Sequence, residues 1–517
     1  LTELTVFDGA GSIGGNKLHL RCGKNRGVLL DFGINYKRMS LFYEEYLRPR
    51  AARGLYDYLE VGLAPRLRIY RPDIITPDLG AETLRGCPVD AVFLTHAHMD
   101  HAGCVGLLDP NIPVVCTPHT AAILKAVQDA GRTELHNQIA YLIPREPLSD
   151  DARVLKSSPW RTAPAVGRKF LLAGKPSAEL QEFWEKPAGA RGLQTEPLET
   201  VDFDHWHFRC WEVDHSVYGS AAFGFETENG WVVYTGDLRM GGKRRSGTVR
   251  FAREASELGV RALIIEGTRA GSGPADSGSE AEVLRNSLEA VEKESGLVIA
   301  DFQPRHVERL ETFLKIADEC GRSLVITARD AYLLEAMKAV DGVDRMRGCL
   351  VYRELKDVKN LWERSLLERL GERVVDPSDV ARNPDAYILS FSFWDMKNLL
   401  DIKPNGGTYI YSASEAFTEE AEFDFLRLWE WLRLFDFKVL GFEVRVQAGQ
   451  LKPVFKRGYH ASGHASESEL LEIIEIIGPE IVIPVHTENP HFFAERVRAS
   501  KVVIPKNGRS LDLSKLK

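Results

Sequence analysis

No run of apolar residues in this chain approaches the roughly 18 that a membrane span requires, so a soluble protein without membrane contact is expected. No Cys-x-x-Cys pair occurs, and the seven cysteines, at 22, 87, 104, 116, 210, 320 and 349, are odd in number and scattered. That distribution argues against a disulfide framework and a thiolate metal site, and fits a reducing cytoplasm. Leu1 to Val6 lack a basic n-region and an apolar h-region, so export is not expected. Net positive charge is missing as well: 66 Lys and Arg stand against 74 Asp and Glu, a formal charge of −8. A protein that coats nucleic acid through bulk charge is thereby excluded, and any polyanion has to be held by local patches and bound cations. Internal repeats and low-complexity tracts are absent too.

What the chain does have is length and ordinary globular composition. Its 517 residues, 44% apolar and 27% charged, suit two domains, one of them inserted into the other. Short apolar runs alternate with amphipathic helical stretches, an α/β pattern. Six runs end in His, Asp or Glu: 28–31, 91–96, 211–215, 231–237, 263–266 and 481–486. Ligand-type residues just past buried strands suit a metal site on the rim of a sheet, because rigid strands fix the donors while loops admit substrate. From about 279 the texture becomes regular: strands are expected at 296–300, 323–327, 386–390 and 408–411, with helices near 279–294, 306–319 and 330–340. Segments 36–88 and 145–200 read as insertions.

The densest chemistry is the run His96, His98, Asp100 and His101. Histidines at i and i+2 in a turn after a strand can share one cation, and Asp100 with His101 can share a second. Two cations need more donors than this run supplies. His215 and Asp237, each at a strand end, complete the set. A carboxylate can bridge two cations where an imidazole cannot, so Asp237 is the expected bridge, and His486 fits the second ion. Two Zn²⁺ per chain are expected. Isolated His19, His119 and His136 read as ordinary hydrogen-bonded residues. Asp31 reads two ways, as a carboxylate orienting a ligating histidine or as a turn residue before Gly33.

These motifs together resemble the metallo-β-lactamase superfamily and, within it, the ribonuclease J-like branch of the β-CASP nucleases, over most of the chain. Asp31, the run 96 to 101, His215 and Asp237 match the superfamily motifs in order. Glu266 in Glu266-Gly267-Thr268, His464 in His460-Ala-Ser-Gly-His464 and His486 in Pro484-Val485-His486 match the three that the branch adds. The resemblance implies an αββα sandwich with an inserted parallel α/β domain: hydrolase domain at 1–274, β-CASP domain at 275–451, hydrolase return at 452–517. It implies a zinc-dependent ribonuclease that hydrolyses phosphodiesters of single-stranded RNA in processing or decay by a two-metal mechanism, exonucleolytic (5′ to 3′), endonucleolytic or both. Asp100 would act at the metals, His464 would supply the proton for the leaving oxygen, and Glu266 would raise the pKa of His464. Histidine at 486 is implied to favour RNA, since the DNA-repair branch typically has valine there. A DNA nuclease and an inactive RNA-binding relative are the alternatives, and a homo-oligomer is compatible with either.

Substrate contacts are expected at Ser412 and Ser414, where the branch has a phosphate-binding turn, and at His460 and Ser462 beside the proposed acid. Lys243 and Arg244, six and seven residues past Asp237, read either as a phosphate clamp or as a solvated loop. Residues 36–72 combine eight Lys and Arg, four Asp and Glu and seven aromatics, which suits either stacking of unpaired bases or a packed lid. The turns 302–306, 327–330 and 412–414 depart from the branch's 5′-phosphate-recognition pattern.

Overall fold

The computed structural model describes residues 2–44, 46–131, 134–189, 192–203, 206–272, 278–303, 305–358, 360–413, 419–447 and 450–516. Two sheets face one another. The first has eight strands in the order Glu199–Thr200, Phe170–Leu172, Val114–Cys116, Ala91–Phe93, Gly27–Phe32, Lys17–Cys22, Thr2–Asp8 and Ser510–Asp512. The second has six, in the order Phe208–Glu212, Ala221–Thr227, Gly230–Tyr234, Val260–Glu266, Ile481–Val485 and Lys501–Val502.

Alternation along the strands assigns each face. Val28, Leu30, Ala91, Phe93 and Val115 meet Phe223, Phe225, Val232, Ile264 and Ile483 in the core between the sheets. The odd partners point outward: Leu29, Val92 and Val114 pack under the helix Pro118–Ala130, and Val233, Leu263 and Val482 pack under Arg245–Ser256 and Glu467–Ile477. This is an αββα sandwich. All seven cysteines are free, and no described helix is long and apolar enough to cross a membrane.

The chain leaves the sandwich after Val260–Glu266 and is back in it by helix Glu467–Ile477 and strand Ile481–Val485, which pairs in parallel with Val260–Glu266 from Ala262 with Ile481 to Glu266 with Val485. Between them lies a seven-stranded, wholly parallel sheet, in the order Val374–Val375, Cys349–Tyr352, Ser323–Thr327, Tyr387–Leu389, Leu297–Asp301, Gly407–Tyr411 and Phe437–Leu440. Its central strands are buried on both faces, as parallel sheets require. The expected return point is 452. It falls inside strand Gln450–Phe455, which pairs with Phe442–Gln447, and Phe455 packs on Phe425 and Tyr411 of the inserted unit. Polar contacts on two sides seat this unit on the sandwich. Tyr332 donates to Asp129 at 2.9 Å on one side, and Arg239 pairs with Glu308 at 2.8 Å on the other.

Segment 36–88 forms short helical turns whose Leu55, Tyr58, Leu63, Leu67, Ile74, Leu79 and Leu84 are buried in the outer core. Most of it is therefore a packed cover, although Tyr36, Phe42 and Tyr46 stay exposed. Part of 145–200 extends the first sheet through Phe170–Leu172 and Glu199–Thr200.

Candidate metal centre

Parallel strand ends deliver the donors to one edge of the sandwich. Asp31 interrupts the pairing of its strand: Leu18 opposes Leu30 and Lys17 opposes Phe32, so Asp31 is the extra residue of a bulge, at φ +56°. A bulge re-aims its side chain. Here Oδ1 accepts from the Thr95 N–H at 2.8 Å, and Oδ2 accepts from Tyr234 OH at 2.8 Å and His101 Nδ1 at 2.7 Å. The strand then passes so close to the histidine run that a Cβ on Gly33 would lie 1.7 Å from the Asp100 carbonyl oxygen. Only glycine fits there.

Two four-residue donor sets result. His96, His98, His215 and Asp237 form one, and Asp100, His101, Asp237 and His486 the other. In the first, His98 Nδ1 lies 3.1 Å from His96 Nε2 and 3.2 Å from His215 Nε2, and Asp237 Oδ2 is 3.6 Å from His96 Nε2. In the second, His101 Nε2 is 3.2 Å from Asp237 Oδ2, and His486 Nε2 is 3.8 Å from both Asp100 Oδ2 and Asp237 Oδ2. Ligands on a tetrahedral zinc at about 2.0–2.1 Å stand about 3.3 Å apart. The donor atoms therefore already sit at coordination spacing.

Hydrogen bonds at His215 and His101, and the charge state of His96, His98 and His215, agree with that use. His215 Nδ1–H donates to the Gly463 carbonyl at 2.7 Å and His101 Nδ1–H to Asp31, which leaves each Nε2 lone pair aimed inward. His486 Nδ1 lies 3.2 Å from both the Gly14 N–H, a donor, and Asn16 Oδ1, an acceptor, while its Nε2 faces the two carboxylates. Burial holds His96 and His98 well below the ordinary histidine value and His215 down to about 3, so all three are neutral, as ligands must be. Burial also disfavours charge on His101, but Asp237, Asp100 and Asp31 outweigh it and hold this ring well above its usual value, so a cation at its Nε2 would take the place of a proton. His101 Nε2 and Asp237 Oδ1 are buried without a hydrogen bond. Such orphaned groups are costly unless a cation completes them. The residues fit divalent cations.

Two further groups of donors do not. Glu266 lies near Asp237 and His464, but its oxygens already accept from Leu238 N–H at 3.0 Å and from the Thr268 N–H and hydroxyl at 3.1 and 2.6 Å, besides contacting His464 Nδ1 at 3.0 and 3.1 Å. Burial and the opposing pull of Glu266 and Asp237 leave His464 raised to about 9. Glu280, His306 and Glu308 also cluster, yet Arg309 binds Glu280 at 3.0 Å and Arg239 binds Glu308 at 2.8 Å. That cluster is an ion-pair network between the two units.

The proposed substrate residues lie less simply. Ser412 is buried, and its hydroxyl accepts from Arg309 at 2.6 Å and donates to the Tyr459 carbonyl at 2.7 Å, so it has no hydroxyl to offer a ligand. Ser414 lies outside the described residues. Ser462 Oγ accepts from the His464 N–H at 3.1 Å, and the His460 ring packs near Tyr411 and Phe455. Lys243 pairs with Glu311 and Arg244 with Glu212. Sequence reasoning passed over Thr95, Tyr234, Asn16 and the Gly463 carbonyl, although Thr95 and Tyr234 stand in the very runs that end in His96 and Asp237.

The profile of the metallo-beta-lactamase superfamily matches residues 21–300, and that of the Zn-dependent metallo-hydrolase RNA specificity domain matches 455–505. Ribonuclease J of Pyrococcus abyssi is 22% identical over 477 residues, covering 89% of this chain and 84% of its own. Ribonuclease J of Mycoplasma genitalium is 23% identical and that of Thermus thermophilus 24%, over 77% and 65% of this chain. The chain spans only 58% and 54% of those two bacterial relatives. A crystal structure of a protein of unknown function from Enterococcus faecalis V583 shares the fold, with TM-score 0.65 and 20% identity over 99% of both chains. The chain belongs to the metallo-beta-lactamase superfamily and is ribonuclease J-like along most of its length.

Proposed function

We propose that this chain is a zinc-dependent ribonuclease that hydrolyses phosphodiester bonds of single-stranded RNA, holding two zinc ions in the two donor sets that share Asp237. One atom carries the reading. Asp237 Oδ2 lies 3.6 Å from His96, 3.2 Å from His101, 3.9 Å from His215, 3.8 Å from His486 and 3.9 Å from His464. A single carboxylate so placed suits a bridge between two cations. Bound there, two such ions lower the proton affinity of water and absorb charge on phosphate oxygens.

The remaining chemistry falls to side chains. Glu266 engages Nδ1 of His464, which leaves the Nε2–H to protonate the leaving oxygen, and the raised pKa keeps that proton in place at neutral pH. Asp100, partly exposed, carries its carboxylate to the mouth of the second donor set. The match of residues 455–505 to an RNA specificity domain spans both His464 and His486 and supports RNA as the substrate. We assign the inserted unit, from about 275 to the end of strand Gln450–Phe455, to the β-CASP domain, and place the protein in the cytoplasm.

Purified protein offered single-stranded RNA and DNA of one sequence tests this directly. RNA is expected to be cleaved faster, and Asp100→Ala to abolish the cleavage. Rapid DNA degradation with intact RNA would overturn the substrate assignment. Unchanged cleavage by the variant would trace the activity to a contaminant, and full zinc occupancy without cleavage of either polymer would leave an inactive binding relative.

A further inference from the structure

The turn between strand Leu297–Asp301 and helix Val307–Glu319 carries Arg305, at the carboxyl edge of the inserted parallel sheet. Open α/β sheets bind ligands at that edge. This turn is pinned against the metal centre. Arg239, two residues past Asp237, bonds Asp214 at 3.1 Å and Glu308 at 2.8 Å, and Asp214 directly precedes His215. Arg305 consequently lies where the two units meet. It acts electrostatically on His98 and Asp100 of the donor sets and on Tyr36 from the sandwich cover.

Four cations of the seam between the two units are paired: Arg239 with Asp214 and Glu308, Arg309 with Glu280, Lys243 with Glu311 and Arg244 with Glu212. Arg305 differs. It makes no ion pair with any described residue, and its Nε donates to the side-chain oxygen of Gln303 at 2.5 Å. That bond fixes the plane of the guanidinium and leaves both Nη groups for another acceptor. Asp100 and Asp330 act on the half-buried guanidinium from a distance without pairing with it, and its paired Nη donors match two oxygens of one phosphate.

We infer that Arg305 binds a phosphate of the RNA strand and holds it against the metal centre from the inserted unit. This rests on the ribonuclease reading above and adds a contact that the histidine motifs do not contain. Arginine at this turn grips the backbone and not a base, so its contribution is independent of sequence.

The test uses the zinc-loaded full chain, its Arg305→Ala and Arg305→Lys variants, and a fluorescein-labelled single-stranded RNA at several KCl concentrations. Zinc content and unfolding midpoint confirm that each variant is folded. Arg305→Ala is expected to weaken RNA affinity, read by anisotropy and by the half-saturating enzyme concentration in single-turnover cleavage, by about 10- to 100-fold. It should also flatten the slope of log affinity against log salt by about 0.7, the share of one phosphate contact on a single strand. Arg305→Lys should keep most of the slope while losing part of the affinity, because it retains the charge and loses the fork. An unchanged slope and affinity in the folded alanine variant overturns the contact, as does loss of cleavage rate at saturation with binding unaltered. Anisotropy separates this from the parent reading: a wild type that binds RNA without cleaving it refutes the ribonuclease while the slope still judges Arg305. A wild type that does not bind RNA refutes both.

Discussion

Glu266→Gln removes one charge and little shape, and its consequence can be worked from His464. Burial lowers the pKa of that ring, and the carboxylates of Glu266 and Asp237 reverse the effect and raise it to about 9 from the ordinary 6.5. The difference of about 2.5 units is worth about 3.4 kcal/mol in favour of the protonated ring. A raised histidine pKa means the proton is present below that value and is lost as pH rises through it. At pH 8 a ring of pKa 9 is about 90% protonated, and one returned to 6.5 is about 3% protonated, an expected rate loss of about 30-fold if the proton goes to the leaving oxygen. At pH 6 both are mostly protonated and the rates should agree within about twofold on the same arithmetic. Single-turnover cleavage from pH 5.5 to 9.5, with zinc content checked for each protein, is the assay. An alkaline limb that stays in place in the variant, or a uniform loss at every pH, would refute the acid role of His464 and reduce Glu266 to its bonds with Leu238 and Thr268.

Other outcomes follow from the same contacts. Asp31→Asn weakens the acceptor of His101 Nδ1–H, and its zinc affinity by competition with a chelator dye should fall about 10- to 100-fold; an unchanged affinity would reject the orienting role. Glu308→Ala breaks the 2.8 Å buried pair with Arg239, and because Asp214 still holds Arg239 the expected loss is about 2 to 4 kcal/mol in denaturant unfolding, with zinc content unaltered. Asp301 is buried and pushed up to about 7 by desolvation, with Tyr409 OH donating to it at 2.5 Å. A carboxyl with a raised folded pKa binds its proton more tightly when folded, so stability is lost as pH rises from about 4 to about 7. Asp301→Asn should therefore unfold at higher denaturant than wild type at pH 8, by up to about 4 kcal/mol, with no gain at pH 4; the same offset at both values would dismiss the titration.

Much of the frame was legible because its signals are local. Short apolar runs marked buried strands such as Ala91–Phe93 and Gly230–Tyr234, and the regular texture after 279 located Ser323–Thr327 to the residue. Shorter strands such as Val374–Val375 carry too few residues for a periodic signal. The two readings of Asp31 could not be separated from sequence, because a bulge is a misfit between paired strands and belongs to neither alone. Lys243 and Arg244 were ambiguous for a related reason. Their partners, Glu311 and Glu212, lie 68 and 32 residues away, and only packing brings them together. Ser412 followed a strand as expected, but the buried Arg309 that occupies it comes from another helix. Arg305 shows the reverse: its sequence context gave no hint that Arg239 and Arg309 would be paired with carboxylates while it made no ion pair with a described residue.

The central claim is that two cations sharing Asp237 cleave RNA, and titration of metal against activity tests it most directly. Protein stripped by chelator is given zinc in steps, with bound metal counted by mass spectrometry and cleavage of labelled single-stranded RNA read at each step. Activity should appear between one and two zinc ions per chain and saturate at two, and Asp237→Ala should bind fewer than two and remain inactive. Full activity in stripped protein, saturation at a single ion, or an active Asp237→Ala variant would contradict the shared-carboxylate centre.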